Sequence, residues 1–172
     1  IYDNSILHPQ INQVRTATGR LSSSKPNFQN LPRGSTARVR KAIKSRFKNG
    51  KILEGDFGQL EFRTAVWVAN DKVGRKEIDE GFDVHAYTAQ VLTSAGQKTS
   101  RQDAKSRTFR PLYGGIGGSP AEVQYNRAFI NKYNDIAKWH QRLQDEAIRE
   151  KKITTITGRQ FAFPNVQRTK YG

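Results

Sequence analysis

The sequence predicts an α+β fold, and three observations carry that expectation. A short apolar run, Lys51 to Phe57, lies between an Asn49-Gly50 turn and Gly58 and reads as a strand. The second half of the chain shows helical spacing punctuated by strong start and stop signals. Residues 153–163, Ile-Thr-Thr-Ile-Thr-Gly-Arg-Gln-Phe-Ala-Phe, alternate about Gly158 and read as a hairpin. With 172 residues the chain is long enough for one ordinary domain or two small lobes with a core.

Residues 11–24 read as extended chain entering a polar turn rich in Thr and Ser. Residues 25–35 carry two prolines and a glycine among Asn and Gln, so an ordered loop is expected there rather than a helix. After the strand at 51–57, Gln59 to Ala69 divides into polar and apolar faces at helical spacing. Asp83 is a natural N-cap for a helix that runs to Ser94 and stops at Gly96. Another helix is expected from Arg101 to Leu112. Ser119-Pro120-Ala121-Glu122 combines a capping Ser, a Pro at the first helical position and a Glu that closes a capping box. That helix leads toward Tyr133, and the next carries Ile136, Trp139, Leu143 and Ala147 on one side.

Composition excludes several classes of function. There is no Cys, so disulfide scaffolds, thiolate zinc sites and Cys nucleophiles are ruled out. No apolar run approaches the roughly 20 residues of a membrane-spanning helix, and the first ten residues lack the pattern of a signal peptide. There is no Met either, and a fragment of a longer protein is the simplest expectation. Thirty Lys and Arg stand against fifteen Asp and Glu, for a net charge of +15. Between Asn4 and Leu53 no acidic residue occurs, while eleven are basic. Leu21, Phe28, Leu31, Val39, Ile43 and Phe47 interrupt that run, which favours a folded, phosphate-facing lobe over a solvated tail.

Two constellations carry chemistry. Asp56 ends the expected strand where the chain turns into a helix, and Gly58 leaves room beside it. A carboxylate with a neighbouring backbone carbonyl can meet a divalent cation, and Mg²⁺ takes one or two carboxylates plus substrate phosphates. The bland reading of Asp56 is a turn or capping residue. Arg101, Lys105, Phe109 and Tyr113 follow one another at i+4 along one helical face. Two cations followed by two rings could hold a triphosphate at one end and a base or sugar at the other; an ordinary amphipathic helix is the alternative. With His only at 8, 85 and 140, no His-based metal cluster is indicated, and His85 alone reads more readily as structural.

In this order the motifs resemble the family A (DNA polymerase I-like) DNA polymerases. Thr18 to Ser24, followed by Pro26-Asn27-Phe28-Gln29-Asn30-Leu31-Pro32, is similar to the segment that grips the primer–template minor groove. Asp56-Phe57-Gly58-Gln59-Leu60-Glu61-Phe62-Arg63 resembles motif A, and Asp83-Val84-His85 the Asp-x-His before the fingers. Arg101-x-x-x-Lys105-x-x-x-Phe109-x-x-x-Tyr113-Gly114 resembles motif B, and Gly158-Arg159 with Pro164 the hairpin beyond. The match runs from Thr16 to Pro164.

The resemblance implies a partial palm of short antiparallel strands with a mainly helical fingers subdomain. Residues 1–70 would hold the first part of the palm, 71–152 the fingers, and 153–172 a hairpin returning toward the palm. It implies template-directed DNA synthesis with two Mg²⁺ ions, on primer–template DNA and deoxynucleoside triphosphates, by a cytoplasmic monomer. Asp56 and Lys105 would be catalytic, with Asp56 and the carbonyl of Phe57 as metal ligands. Gln59, Glu61, His85, Arg101, Lys105, Phe109 and Tyr113 would bind the nucleotide, Glu61 as a steric gate under the sugar and Tyr113 at the templating position. Arg20, Asn27, Gln29, Asn30 and Arg63 would lie along the primer–template.

Phe57-Gly58 stands where Tyr-Ser is usual, and Thr108 and Arg110 where Asn and Gly are common. Pro111 is expected to remove a backbone hydrogen bond and kink its helix. Phage-type members come closest to the wording Thr-Phe-Arg-Pro-Leu-Tyr-Gly-Gly, so a phage source is expected. The chain ends before a motif C with its second catalytic aspartate, so the isolated piece is expected to be inactive. Two rival readings are an inert basic nucleic-acid-binding module and a relative of the single-subunit RNA polymerases. Glu61 argues against the second, and Asp56 with Arg101 and Lys105 against the first.

Overall fold

The computed structural model describes residues 2–3, 6–32 and 38–168. Loops and short strands fill the first third, and helices dominate thereafter. The chain divides into two compact units, 1–56 and 57–172.

In the first unit, β1 (Tyr2–Asp3) pairs antiparallel with β2 (Ile6–Leu7), and β3 (Gln10–Asn12) pairs antiparallel with β4 (Ser22–Ser24). Ile11 lies opposite Ser23 in that second ladder. A 3₁₀ turn follows over Phe28–Asn30, then α1 (Arg38–Ala42). The loop expected over residues 25–35 contains this single 3₁₀ turn, and residues 33–35 fall outside the described part. Sequence reading had not placed α1.

Residues 51–57 form no strand, contrary to expectation. A strand exists only as one side of a hydrogen-bonded ladder, and no described residue pairs with this segment. Ile52 and Leu53 are accordingly exposed.

The second unit is built from α2 (Leu60–Ala69), α3 (Lys72–Asp79), α4 (Val84–Ser94), α5 (Arg101–Leu112), α6 (Pro120–Lys132) and α7 (Asn134–Glu150), closed by β5 (Lys152–Thr154) and β6 (Gln160–Ala162). Capping chemistry marks most of these boundaries. The α2 helix ends at Asn70 in the left-handed region, where the Asp71 amide reaches back to the Val66 carbonyl at 3.0 Å. Asp71 then caps α3 by accepting from the Gly74 amide at 2.8 Å. After α4, Gly96 takes φ +84° and lets the Gln97 amide bond the Leu92 carbonyl at 2.9 Å. The capping box expected at Ser119–Glu122 is formed in both directions. Gly158, φ +81°, makes the hairpin turn between β5 and β6.

The core is a single apolar cluster within this unit. Phe62 and Val66 of α2 meet Val84 and Leu92 of α4, Leu112 of α5, Tyr125 and Phe129 of α6, and Tyr133 and Ile136 near the start of α7. Phe62, Phe129 and Tyr133 stack edge to face, with centroid separations of 6.5, 5.2 and 4.7 Å. The phenol of Tyr133 donates to Glu77 of α3 at 2.7 Å, and Lys132 pairs with the same carboxylate while lying 4.0 Å from the Tyr87 ring centroid. The α3 helix, also absent from the sequence reading, is held on the bundle by these contacts and by Gly74, whose Cα lies too close to Val66 for any larger residue.

Phe129 is fully buried among three aromatic neighbours. Phe129→Ala is expected to cost about 3–5 kcal/mol of stability, measured as a fall in the urea midpoint at unchanged slope.

Candidate functional site

The expected strip on α5 is present. Arg101 opens the helix, Lys105 is half-buried one turn on, Phe109 is half-buried after another, and Tyr113 caps the C-terminus with its ring exposed. The α5 helix is not ended by Pro111. It continues to Leu112, and the Tyr113 amide bonds the Phe109 carbonyl at 3.0 Å. Proline this near a helix end forfeits one bond, and here the residue is buried.

The α4 helix packs against α5 and brings His85 to the strip. The ring of Phe109 stands edge-on to His85 at 5.8 Å and 6.1 Å from Tyr113. Asp83 joins the two helices: Oδ1 accepts from the His85 and Ala86 amides at 2.9 and 3.0 Å, and Oδ2 accepts from Arg101 Nε at 2.6 Å. Partial burial pushes the Asp83 carboxyl up. The hydrogen bonds from Arg101, Ala86 and His85 and the Arg101 charge outweigh it, so the group sits below its ordinary range.

His85 is buried, and its Nδ1 lies 3.1 Å from Thr108 Oγ1. Burial holds the imidazole below its ordinary pKa. Asp83 and Glu61 pull it up, while Arg101 and Lys105 push it further down. Gln59 enters from α2. This residue adopts the left-handed conformation just before the helix, and its side chain accepts from the Val84 amide at 3.1 Å. One carboxamide thus ties the start of α2, which carries half-buried Glu61, to the start of α4, which carries His85. Gln59, Glu61, His85, Arg101, Lys105, Phe109 and Tyr113 therefore all belong to one helical unit.

Of the remaining expected residues, Arg63 joins that group through its amide, which bonds the Gln59 carbonyl at 3.0 Å. Asp56 closes the first unit and is exposed; Phe57 opens the second with its ring 79% exposed. Among the described residues no group of three or more His, Cys, Asp or Glu could hold a metal ion. Arg63 of α2 is exposed and donates from Nε to the Gly58 carbonyl at 3.0 Å. In the first unit, Asn27 accepts from the Gln29 amide at 3.0 Å and caps the 3₁₀ turn. Gln29 in turn donates to the Leu21 carbonyl at 2.9 Å and accepts from the Ser23 amide at 3.2 Å. These two amides shape the turn beside β4. Asn30 and Arg20 are exposed on the same unit, and Thr16 Oγ1 donates to the Arg20 carbonyl at 2.6 Å.

Sequence reading missed the polar interior behind His85. Thr88, Thr108 and Tyr125 are buried, with Thr88 Oγ1 2.7 Å from both Thr108 Oγ1 and the Tyr125 hydroxyl. It also missed Glu122 of the capping box as the partner of Arg107 and Arg110 on α5. The spacing of Arg107 and Arg110 on one side of α5 was the available signal.

A model of DNA polymerase family A matches residues 2–172. The chain is 31% identical to the thermostable DNA polymerase I of Thermus filiformis, over 93% of this chain and 21% of that protein. It is 30% identical to DNA polymerase I of Aquifex aeolicus, over 92% of this chain and 30% of that protein. The chain thus spans between a fifth and a third of these relatives. Among solved structures, the POL domain of Pol1 from M. smegmatis, in complex with DNA primer-template and dNTP, shares the fold. Its TM-score is 0.71 at 24% identity, covering 95% of this chain and 31% of that one. No described helix is long and apolar enough to cross a membrane.

Asp83→Ala is expected to cost about 1 kcal/mol through the lost cap, read as the difference in denaturant unfolding from wild type. Because the folded carboxyl titrates below the unfolded value of 3.8, that difference is fully present above this pH. It is lost as pH falls through the lower folded value.

Proposed function

The chain belongs to DNA polymerase family A, and we propose that it serves template-directed DNA synthesis, adding deoxynucleotides to a primer 3′ end. Primer–template DNA and deoxynucleoside triphosphates are the partners, and a cytoplasmic monomer, in a bacterium or a phage-infected cell, goes with that reading. Residues 1–70 would be the first part of the palm, 71–152 the fingers, and 153–172 the hairpin returning toward the palm. The observation that carries the reading is the packing of His85 across the Arg101, Lys105 and Phe109 face of α5.

That face suits a nucleoside triphosphate. Asp83 occupies the Nε–H of Arg101 and so aims the guanidinium while leaving its terminal N–H donors for phosphate oxygens. Lys105, one turn on, adds a compact charge, and His85 adds a ring nitrogen. Phe109 gives the base or sugar a flat apolar surface, with Tyr113 beyond it at the templating position. Gln59 sets α2 against α4 and so holds Glu61 where it would stand under the sugar, disfavouring a 2′-hydroxyl. Fixed cations that need no rearrangement during reaction are what phosphoryl transfer chiefly asks of a protein. Lys105 is the proposed catalytic cation.

The Asp56 carboxylate and Phe57 carbonyl are hard oxygen donors, which fits Mg²⁺. When bound, a pair of such ions lends Lewis acidity to the attacking and leaving oxygens. Arg20, Asn27, Gln29, Asn30 and Arg63 would lie along the primer–template, beside a basic run from Arg15 to Lys51 suited to backbone phosphates. On this reading the 172-residue chain alone would bind DNA without extending it, because two Mg²⁺ ions need more carboxylate than Asp56 provides.

In the complete polymerase, Asp56→Asn is expected to reduce single-turnover incorporation by about 10³-fold or more, while primer–template affinity changes little. Incorporation near the wild-type rate would remove Asp56 from the metal site. Glu61→Ala is expected to raise ribonucleotide incorporation relative to deoxynucleotide in a paired competition assay. Unchanged discrimination would remove Glu61 from beneath the sugar.

A further inference from the structure

Four protons and five contacts lie behind His85. Burial pushes the Tyr125 phenol up to about 12, so it keeps its proton. Its hydroxyl lies 2.7 Å from Thr88 Oγ1, where either oxygen could donate, and the arrangement with the most bonds has Tyr125 donating. Thr88 in turn has the Val84 carbonyl at 2.8 Å and Thr108 Oγ1 at 2.7 Å as acceptors for one proton. Thr108 has the Ala104 carbonyl at 2.9 Å, Thr88, and His85 Nδ1 at 3.1 Å. If Nδ1 were an acceptor, three hydroxyl protons would have to serve all five contacts. If Nδ1 carries a proton and donates to Thr108, four of the five are made. Inside a buried site the arrangement with more bonds prevails, because each unmade one carries the full cost of desolvation.

The other ring nitrogen is free to respond. Among the described residues Nε2 has no partner, and no buried polar atom is left unsatisfied, so Nε2 still touches solvent. The charges around the ring are Asp83 at the head of its own helix, Arg101 and Lys105 on α5, and Glu61 on α2. Tyr125 of α6 stands behind it through Thr88.

We propose that Thr108, backed by Thr88 and Tyr125, is a positioning residue that holds His85 in its Nδ1–H form, so that Nε2 takes up a proton from solvent when a polyphosphate binds and donates it to a phosphate oxygen. The inference rests on the nucleotide-binding reading of His85 above. It places a specific task on Thr108, where Asn is common in the family. The proton count balances: one proton leaves water or buffer and bonds to Nε2, and Nδ1–H stays with Thr108 throughout. Before binding, the depressed imidazole is neutral at physiological pH. Phosphate charge against Nε2 favours the cation, and nucleotide affinity then falls as pH rises. The limit for one proton is about tenfold per pH unit.

Two measurements on the complete polymerase test this. Long-range ¹H–¹⁵N spectra of histidine-labelled protein report the tautomer directly, with His85→Ala identifying the resonance. Neutral wild-type His85 is expected as Nδ1–H, Thr108→Ser should match it, and Thr108→Val should shift the proton to Nε2. The second measurement is the pH dependence of the triphosphate KM. Wild type and Thr108→Ser should show KM rising with pH, and Thr108→Val should flatten the rise, with substrate ionisation common to all three. An Nε2–H tautomer in neutral wild-type protein overturns the proposal without recourse to any variant. So does a Thr108→Val protein that keeps both the wild-type tautomer and the wild-type slope. If the tautomers behave as expected but His85→Ala and Lys105→Ala leave the triphosphate KM unchanged, the nucleotide reading fails while the hydrogen-bond assignment stands.

Discussion

The candidate site of this chain depends on the double use of one carboxylate. Asp83 cannot satisfy the free amides of α4 without lying at the helix start, and from there its second oxygen meets the guanidinium that opens α5. Helix N-termini favour negative charge, so the cap is good local chemistry in its own right. Its second bond turns local chemistry into tertiary order. Two consecutive helices are set in register at their N-terminal ends, and His85 and Arg101 are brought to one face as a result. Gln59 repeats the device with a neutral group, tying α2 to the same helix start. The candidate site is thus assembled at helix beginnings, where backbone donors are spare.

Behind that face the interior is divided in kind. An apolar wedge of Phe62, Phe129 and Tyr133 supplies the cohesion that holds α2, α6 and α7 together. Alongside it runs a buried polar seam from Tyr125 through Thr88 and Thr108 to His85. Hydroxyls in such a place gain little over apolar groups in stability, but they have only a few arrangements in which every partner is met. Apolar burial sets no direction between helices, whereas the hydrogen bonds of the seam do. Placing the seam under the proposed phosphate-binding ring puts the directional part of the packing where position matters most.

What could be read from the sequence was what local chemistry determines. Asp83, Gly96, the Ser119–Glu122 box and the Gly158 turn act within a few residues of themselves, and each lies where its type and spacing indicated. The i+4 strip on α5 was legible for the same reason. The strand expected over 51–57 failed because strand character belongs to a pair, and the described residues supply no neighbour. The α3 helix escaped because it is only eight residues long and contains Gly74, while the contacts that keep it helical come from Tyr133 and Lys132, far along the chain. The Thr88, Thr108 and Tyr125 seam joins residues 20 and 37 positions apart. No periodicity connects such positions, and each residue alone reads as an ordinary helix constituent.

The first unit has almost none of the interior that steadies the second. Its only buried described residue is Ser23, whose hydroxyl organises the turn at Pro26 and Phe28, and the amides of Asn27 and Gln29 do the rest. A segment folded by hydrogen bonds at the surface, with one sign of charge along most of its length, has little of its own to resist local opening. Amide exchange should therefore be fast across 6–32 and 38–56 and slow across the helical core, and a polyanion laid along the unit would do for it what burial does elsewhere. Neutralised cations stop repelling one another, and the hydrogen-bonded turns close under a cover that excludes competing water. On the proposed function such a unit would be partly a lattice of attachment points, its final rigidity contributed by the polyanion laid along it.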